Sequence, residues 1–171
     1  MSAAPAASDA DAIRTSTVVS VAPGTAFRIF TEEIDRWWRG GPCFRFHPER
    51  GGVLRFERAA SGRRLVEAYP GSDHPDHEIG RVLAWEPPDR LCFEFRAHAF
   101  AEGETTEVEI RFEAVHDGTR VALVHRGFDA FADTHPVRHG LVGPAFRAMM
   151  GLWWGDLLVS ARAHADGSAA V

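Results

Sequence analysis

The chain contains no lysine, so all 19 of its basic residues are arginine. These arginines are scattered along the sequence, and the formal net charge is -5. Binding to nucleic acid or to an anionic membrane surface needs a basic patch of several residues, so we expect neither partner. We attribute the missing lysine to the coding bias of a GC-rich genome and expect a bacterial protein.

The chain also lacks the segments that direct a protein to a membrane or out of the cell. No apolar run approaches the roughly 20 residues that cross a bilayer, and the first residues lack the basic start and apolar stretch of a signal peptide. Cys43 and Cys92 are too few and too far apart for a disulfide framework. We therefore expect a cytoplasmic protein with a disordered tail over 1–12, one domain over 13–165 and a frayed tail over 166–171.

The spacing of hydrophobic residues changes along the chain in an order that predicts an α+β fold. Residues 13–21 alternate β-branched and small polar side chains, which predicts a strand, and residues 25–38 repeat at three and four, which predicts one helix or two short ones. Between Phe44 and Phe128 the period is two, interrupted by turn signals rich in glycine and proline. Successive strands with short turns predict an antiparallel meander that has one wet face.

A long helix is predicted to follow, with Pro144 in its first turn. Gly151 and Gly155 fall on a separate face, where close backbone packing or a slight bend is a better interpretation than a helix-pairing motif. A single long helix against a twisted sheet leaves space that large side chains or a ligand must fill. The inward stripe of the helix is predicted to contain Val142, Phe146, Met149, Trp153 and Leu157.

Several segments, in this order and spacing, resemble the START-like (SRPBCC, polyketide cyclase-like) superfamily. They are residues 19–21, 26–31, 37–38, 51–56, 80–83, 87–91 and 118–125, with the pair Trp154 and Leu158. Within the superfamily, the chain most resembles the branch named after the activator of the ninety-kilodalton heat-shock ATPase. The resemblance implies a helix-grip fold, with a curved antiparallel sheet wrapped around a long C-terminal helix and two short helices after the first strand.

Members of this superfamily bind lipids, hormones and polyketides, and some catalyse cyclisation or aromatisation. We expect a cavity between the concave sheet and the C-terminal helix, although the same bulky side chains are also suited to filling a core. The predicted lining is Trp38, Phe46, Phe56, Tyr69, Trp85, Phe93, Phe95, Phe112, Leu123, His125, Met149, Trp153 and Leu157.

His125 is the titratable residue of most interest because it shares strand parity with Val121 and Leu123. At the mouth of an apolar cavity, it would orient a ligand oxygen, as would Tyr69, or act as a general acid or base. The alternative is a histidine at the edge of the core, satisfied by a backbone carbonyl, by Tyr69 or by Glu67.

No cofactor or metal is expected. The acid- and histidine-rich stretch 73–78 contains Pro75 and is predicted to be a solvated loop, and His135 and His139 are separated by Pro136 without a third ligand nearby. No nucleophile elbow, phosphate-binding loop or dinucleotide fingerprint is present. The arginines of the strands are predicted to pair on the wet face with Glu94, Glu107 or Glu109.

Three functions remain open. The first is binding of a small apolar or aromatic ligand, and the second is a cyclase or aromatase that uses His125 as a proton shuttle. The third is a protein-interaction module related to the heat-shock ATPase activators, and a homodimer is possible. Trp37 and Trp38 bear on the third, because two adjacent tryptophans cannot both point inward from one helix, and an exposed one would favour a partner contact.

Overall fold

Seven strands form one antiparallel sheet in a computed structural model that describes residues 8–169. The strands are β1 (Ile13–Val19), β2 (Val53–Ala59), β3 (Gly62–Ala68), β4 (His77–Glu86), β5 (Arg90–Phe95), β6 (Thr106–Val115) and β7 (Gly118–Arg126). The helices are α1 (Pro23–Glu32), α2 (Ile34–Trp37) and α3 (Gly143–Ala169), with short 3-10 turns at Pro48–Arg50, Phe128–Ala130 and Pro136–Arg138. The predicted helix-grip fold is confirmed.

Strand order explains how the chain closes around its long helix. The order is β1-β7-β6-β5-β4-β3-β2, so the first strand pairs with the last one and the meander runs away from them. Helix α3 packs against β1, whereas α1 packs against β6 and β2. The two helices therefore cover different parts of the same concave face.

Alternation along the strands separates a buried face from a charged one, as predicted. Phe93, Ile110 and Leu123 are buried in the core. On the outer face, Arg81 pairs with Glu94, Arg90 with Glu109 and Arg126 with Glu107 at N–O distances of 2.6, 2.8 and 3.1 Å. The predicted pairing of strand arginines is confirmed, and it accounts for much of the outer surface without a binding role.

The predicted strand at Phe44–Phe46 is wrong. This segment belongs to a loop between α2 and β2, because Arg45 turns back toward α2 and binds Asp35 at 2.8 Å and the Trp38 carbonyl at 3.0 Å. The prediction for Trp37 and Trp38 is also wrong, since both are buried. Helix α2 ends at Trp37, and the extended backbone of Trp38 lets the two indoles point inward together.

The buried face of α3 differs from the predicted stripe. Trp154 is fully buried, Trp153 is only half-buried, and Val142 before the helix is exposed. A Cβ added at Gly151 or Gly155 would meet no atom within 4 Å, so close backbone packing at these glycines is wrong for the described residues. The buried positions of the helix are Phe146, Trp154, Leu157, Leu158, Ala161 and Ala165.

The ends of the domain extend beyond the limits expected from the sequence. Ahead of β1, Asp9 pairs with Arg14 at 2.8 Å and with Arg126 at 3.0 Å. Helix α3 continues to Ala169, past the residue where a frayed tail was expected to begin. Residues 1–7 and 170–171 lie outside the described part of the chain. Among residues 8–169, no helix has the length and hydropathy needed to span a bilayer.

Candidate functional site

A cavity of about 720 Å³ lies at one end of the concave face. Its floor includes Phe95 of β5 and His125 of β7, and Met149, Met150 and Trp153 of α3 form one wall. Three loops supply the rest, through residues 42–46, 97–100 and the segment between β7 and α3. Most of these side chains are apolar or aromatic, as in sites that bind small organic molecules.

Five of the thirteen predicted lining residues border this cavity: Phe46, Phe95, His125, Met149 and Trp153. Trp38 lies behind the wall, with its ring centroid 5.9 Å from that of Trp153. Leu123 and Leu157 are buried in the core. Tyr69 lies beside Glu67, and the other four predicted residues, Phe56, Trp85, Phe93 and Phe112, lie at the opposite end of the sheet.

At that opposite end, aromatic rings fill the space under α1. Phe27 of α1 packs edge-on against Trp85 and Phe112, each with a centroid distance of 5.4 Å. Phe56 contacts Trp85 at 5.5 Å and Phe93 at 5.7 Å. This set of rings is called the aromatic plug below, and it consists of Phe27, Phe30, Phe56, Trp85, Phe93 and Phe112.

His125 is held by hydrogen bonds on both ring nitrogens. Trp154 Nε1 donates to His125 Nδ1 at 3.0 Å, so Nδ1 carries no proton. Thr106 Oγ1 donates to the Phe95 carbonyl at 2.9 Å, and it therefore accepts from His125 Nε2 at 2.7 Å. Complete burial lowers the pKa of His125 to about 3. The imidazole is thus a neutral, fully bonded part of the cavity floor.

Trp153 connects α3 to the loop on the opposite wall. Its indole Nε1 donates to the Cys43 carbonyl at 2.7 Å, and its ring stacks on Phe44 with a centroid distance of 5.7 Å. The half-buried ring leaves one surface on the cavity. Trp153 therefore fixes the wall and offers aromatic area to a ligand.

Glu67 of β3 anchors the same loop from the sheet side. It is fully buried and accepts from the backbone nitrogens of Phe46 at 2.8 Å and His47 at 3.1 Å. Tyr69 donates its hydroxyl to Glu67 at 3.2 Å, and burial together with this carboxylate raises the pKa of Tyr69 to about 12. A Cβ at Gly52 would lie 2.7 Å from Glu67 Cγ, so glycine leaves the room that the carboxylate occupies.

Arg138 anchors the segment between β7 and α3. Its Nη2 donates to the carbonyls of Phe128 at 2.7 Å and Phe131 at 3.1 Å, and its guanidinium lies 5.1 Å from the ring centroid of Phe146. Asp11 approaches the guanidinium at 3.5 Å. Burial, with Asp129 nearby, raises the pKa of Asp11. The buried guanidinium of Arg138 therefore holds the segment between β7 and α3 in place as one wall of the cavity.

Three imidazoles gather beside Phe46 at the cavity rim. The ring centroid of His47 lies 5.8 Å from that of His77 and 5.7 Å from that of His98. Phe46 stacks on His77 at 4.4 Å, and His98 lines the cavity. No group of three or more metal-ligating residues with suitable geometry occurs within residues 8–169.

The other histidines singled out from the sequence have local roles. His135 Nδ1 accepts from the Val137 backbone nitrogen at 3.2 Å and caps the following 3-10 turn. Its Nε2 lies 3.2 Å from Glu104 Oε2 and connects two loops. His139 lines the cavity, and the stretch 73–78 is a loop up to the start of β4 at His77.

The cavity residues absent from the predicted lining lie almost entirely in loops. They are Pro42, Cys43, Phe44, Arg45, Ala97, His98, Ala99, Phe100, Phe128, Pro136, Val137 and His139, with Met150 from the helix. The one available signal was the presence of aromatic and histidine side chains in segments that otherwise resemble exposed loops. Trp154, which orients His125, was missed because its neighbour Trp153 fits the same helical spacing.

Comparison with known proteins places this geometry in a family. The model of the activator of Hsp90 ATPase homolog 1-like protein family matches residues 20–143. A search of curated proteins finds no match.

Solved structures show the same fold at low sequence identity. A protein from Nitrosomonas europaea is 15% identical with a TM-score of 0.59, and the match covers 96% of this chain and 100% of that one. The Aha1 dimer from Colwellia psychrerythraea is 16% identical, with a TM-score of 0.56 and 91% and 96% of the two chains covered. An Hsp90 activator from Plasmodium falciparum is 16% identical, with a TM-score of 0.54 and coverage of 86% and 90%.

The matched residues 20–143 contain strands β2 to β7, helices α1 and α2 and the loops that border the cavity. The chain therefore belongs to the family of activator of Hsp90 ATPase homolog 1-like proteins.

Proposed function

We propose that this protein binds a small, largely apolar molecule in the cavity at the open end of its concave face. The observation that carries the proposal is the cavity itself, whose volume of about 720 Å³ falls within the range of sites for small organic ligands. Its walls offer aromatic rings and two adjacent methionines, which adapt to irregular ligand shapes. Affinity would come chiefly from apolar burial, at about 25 cal/mol per Å².

Trp153→Ala tests the proposal. Phenylnaphthylamine, a neutral dye that fluoresces in apolar surroundings, serves as the probe in a titration with the purified protein. We expect the variant to bind the dye about tenfold more weakly, because it loses a stacked ring and the bond to the Cys43 carbonyl. Leu83→Ala is the matched control, because Leu83 is 51% exposed on β4 and does not border the cavity. Equal affinity of a folded Trp153→Ala variant would contradict the proposal.

The surroundings of His125, the proton shuttle of the cyclase alternative, do not favour that function. A proton shuttle needs a nitrogen that exchanges a proton with the substrate. Both nitrogens of His125 are engaged with Trp154 and Thr106, and burial holds the pKa of the imidazole near 3. His125 is better suited to holding the cavity floor in place.

The protein-interaction alternative loses the surface on which it depended, because Trp37 and Trp38 are both buried. We propose instead that a second copy of the chain pairs with the outer face of α3. Leu152 and Val159 are 75% and 69% exposed there, beside Gly151 and Gly155. An antiparallel pair with Gly155 near the two-fold axis would set Leu152 against Val159 of the second copy.

The similar structure from Colwellia psychrerythraea is itself a dimer, which supports a dimer of this chain. Light scattering over a range of protein concentrations measures the molar mass directly. A monomer mass at every concentration would contradict the dimer. A cytoplasmic location stays a prediction, with which the free thiols of Cys43 and Cys92 agree.

A further inference from the structure

His47, His77 and His98 form the histidine cluster at the cavity rim. His77 Nε2 is buried and has no hydrogen-bond partner within the described chain. Buried polar nitrogens are normally bonded, so an unbonded one in a folded protein calls for an explanation. The cluster is also the place where the polar part of the rim meets the apolar cavity, through His98.

The charged groups around the cluster are mostly cationic. Burial is the largest cause that lowers the pKa of His77, and His47, His98 and Arg96 lower it further, whereas the carboxylate of Glu67 acts in the opposite direction. Arg50 lies over the ring of Tyr69, 5.4 Å from its centroid, on the His47 side. Several groups that carry or can gain a positive charge therefore face one another across a small volume.

The nearby acids do not balance this charge. Glu67 is already bound by two backbone nitrogens and the Tyr69 hydroxyl. Glu49 reaches His47 at 3.5 Å but is largely exposed, so solvent screens the pair. The guanidinium of Arg45 also borders the cavity, but it is occupied by Asp35 and by the carbonyls of Trp38 and Gly52. Among the described residues, His77 Nε2 is the buried imidazole nitrogen of the cluster that is left without a hydrogen-bond partner.

We infer that the ligand carries an anionic group, a carboxylate or a similar oxyanion, which His98 binds at the rim with His47 and His77 beside it. The inference rests on the proposed binding function and names the chemistry of one end of the ligand. The apolar body would lie between Phe46, Phe95 and Trp153, and the anion would face the histidine cluster. A protonated imidazole binding a carboxylate makes a charge-assisted hydrogen bond, roughly twice as strong as a neutral one.

Two isosteric compounds test the inference in competition with phenylnaphthylamine. Naphthylacetic acid carries a carboxylate, and naphthylacetamide replaces it with a neutral amide of nearly the same shape. We expect the acid to bind about tenfold more tightly than the amide near pH 5.5, or by about 1.4 kcal/mol, because a hydrogen bond to a charged group is stronger than one to a neutral group. The same comparison at about pH 8.5 should show a smaller preference, because a neutral imidazole makes a weaker hydrogen bond to a carboxylate than a charged one.

His98→Asn is the decisive variant, and His116→Asn is its matched control in an exposed turn. His98→Asn should abolish the preference for the acid over the amide, and the ratio of the two affinities within each variant is the readout, because His98 also lines the cavity. His116 is 96% exposed, and its replacement should change nothing. Thermal unfolding of each variant verifies that the fold is intact.

The possible failures are distinguishable. If the dye binds but the acid and the amide have equal affinity near pH 5.5, the inference is wrong and the proposed function stands. If the preference for the acid survives in His98→Asn, His98 is not the anion site and the inference is again wrong. If neither the dye nor the two compounds bind, both proposals fall together.

Discussion

The two ends of the concave face are built from similar side chains but are used differently. At the end covered by α1, the aromatic plug fills the space with rings that contact one another at 5.4 to 5.7 Å. At the other end, Phe46, Phe95 and Trp153 surround a cavity of about 720 Å³. Aromatic content therefore does not decide whether this fold is filled or hollow.

The covering elements account for the difference. Helix α1 presents Phe27 and Phe30 directly to the sheet, where they meet Phe112 from both sides. The open end is covered by the first half of α3 and by loops whose backbone is held away from the sheet at fixed points. Glu67 holds one loop, Arg138 holds a second, and Trp153 ties the first loop to the helix. Polar anchors at the margins keep the space between them open.

Phe112→Ala should cause the largest loss of stability, and a small loss would contradict the difference between the two ends. Phe112 is 3% exposed in the aromatic plug, and its removal should lower the free energy of unfolding by about 3 to 5 kcal/mol. Phe46→Ala, in the cavity wall, should cost clearly less, because its ring already faces open space. Urea unfolding of both variants measures the contrast. Equal losses would show that the two ends are packed alike.

His125→Gln tests the neutral state of the buried His125 at the cavity end, through the pH dependence of the free energy of unfolding. Burial depresses the pKa of the folded imidazole to about 3 from its ordinary value of 6.5, so between these values the unfolded chain binds the proton and the folded one does not. The stabilisation is fully present above about pH 6.5 and is lost as pH falls toward 3, by up to about 1.4 kcal/mol for each pH unit.

Glutamine keeps one acceptor and one donor for Trp154 and Thr106 but does not titrate. The difference in unfolding free energy between the wild-type protein and His125→Gln, measured from about pH 6.5 to 4.5, should therefore change by this slope. His116→Gln is the control in an exposed turn and should follow the wild-type curve. Parallel curves for the wild-type protein and His125→Gln would contradict the neutral, buried state of His125.

The sequence was sufficient to predict the elements in which hydrophobic residues recur at a regular spacing. Alternation in β5, β6 and β7 correctly separates the buried Phe93, Ile110 and Leu123 from the charged outer rows. The face of α3 was harder to predict, because two of its buried positions are Ala161 and Ala165, which bulky-residue spacing does not reveal. At about a hundred degrees per residue, Trp153 and Trp154 both lie near the edge of the same stripe. Trp154 is the fully buried one, and its indole donates to His125 of β7.

The cavity could not be located in the same way. Most of its additional lining comes from loops, where no period assigns a side chain to a face. The alternation of Phe44 and Phe46 with Arg45 predicts a strand, yet the contacts that shape this segment as a loop are with Glu67 and Asp35, which lie elsewhere in the sequence. Such side-chain anchors are tertiary contacts, and no local pattern encodes them.

The smallest expected effect on stability concerns the loop that contains Phe100. Glu104 Oε2 accepts from the Ala101 backbone nitrogen at 2.7 Å and contacts His135 Nε2 at 3.2 Å, while Phe100 packs on Phe131 with a centroid distance of 4.8 Å. Glu104→Ala should lower the free energy of unfolding by less than about 1 kcal/mol, because the pair is partly exposed.

Glu104→Ala should also speed the association of phenylnaphthylamine in stopped-flow measurements, since it loosens one wall of the cavity. Glu102→Ala, a neighbouring exposed position, is the matched control. An unchanged association rate in Glu104→Ala would mean that ligands enter past another wall, and the loop that contains His98 would then be a binding surface without a role in entry.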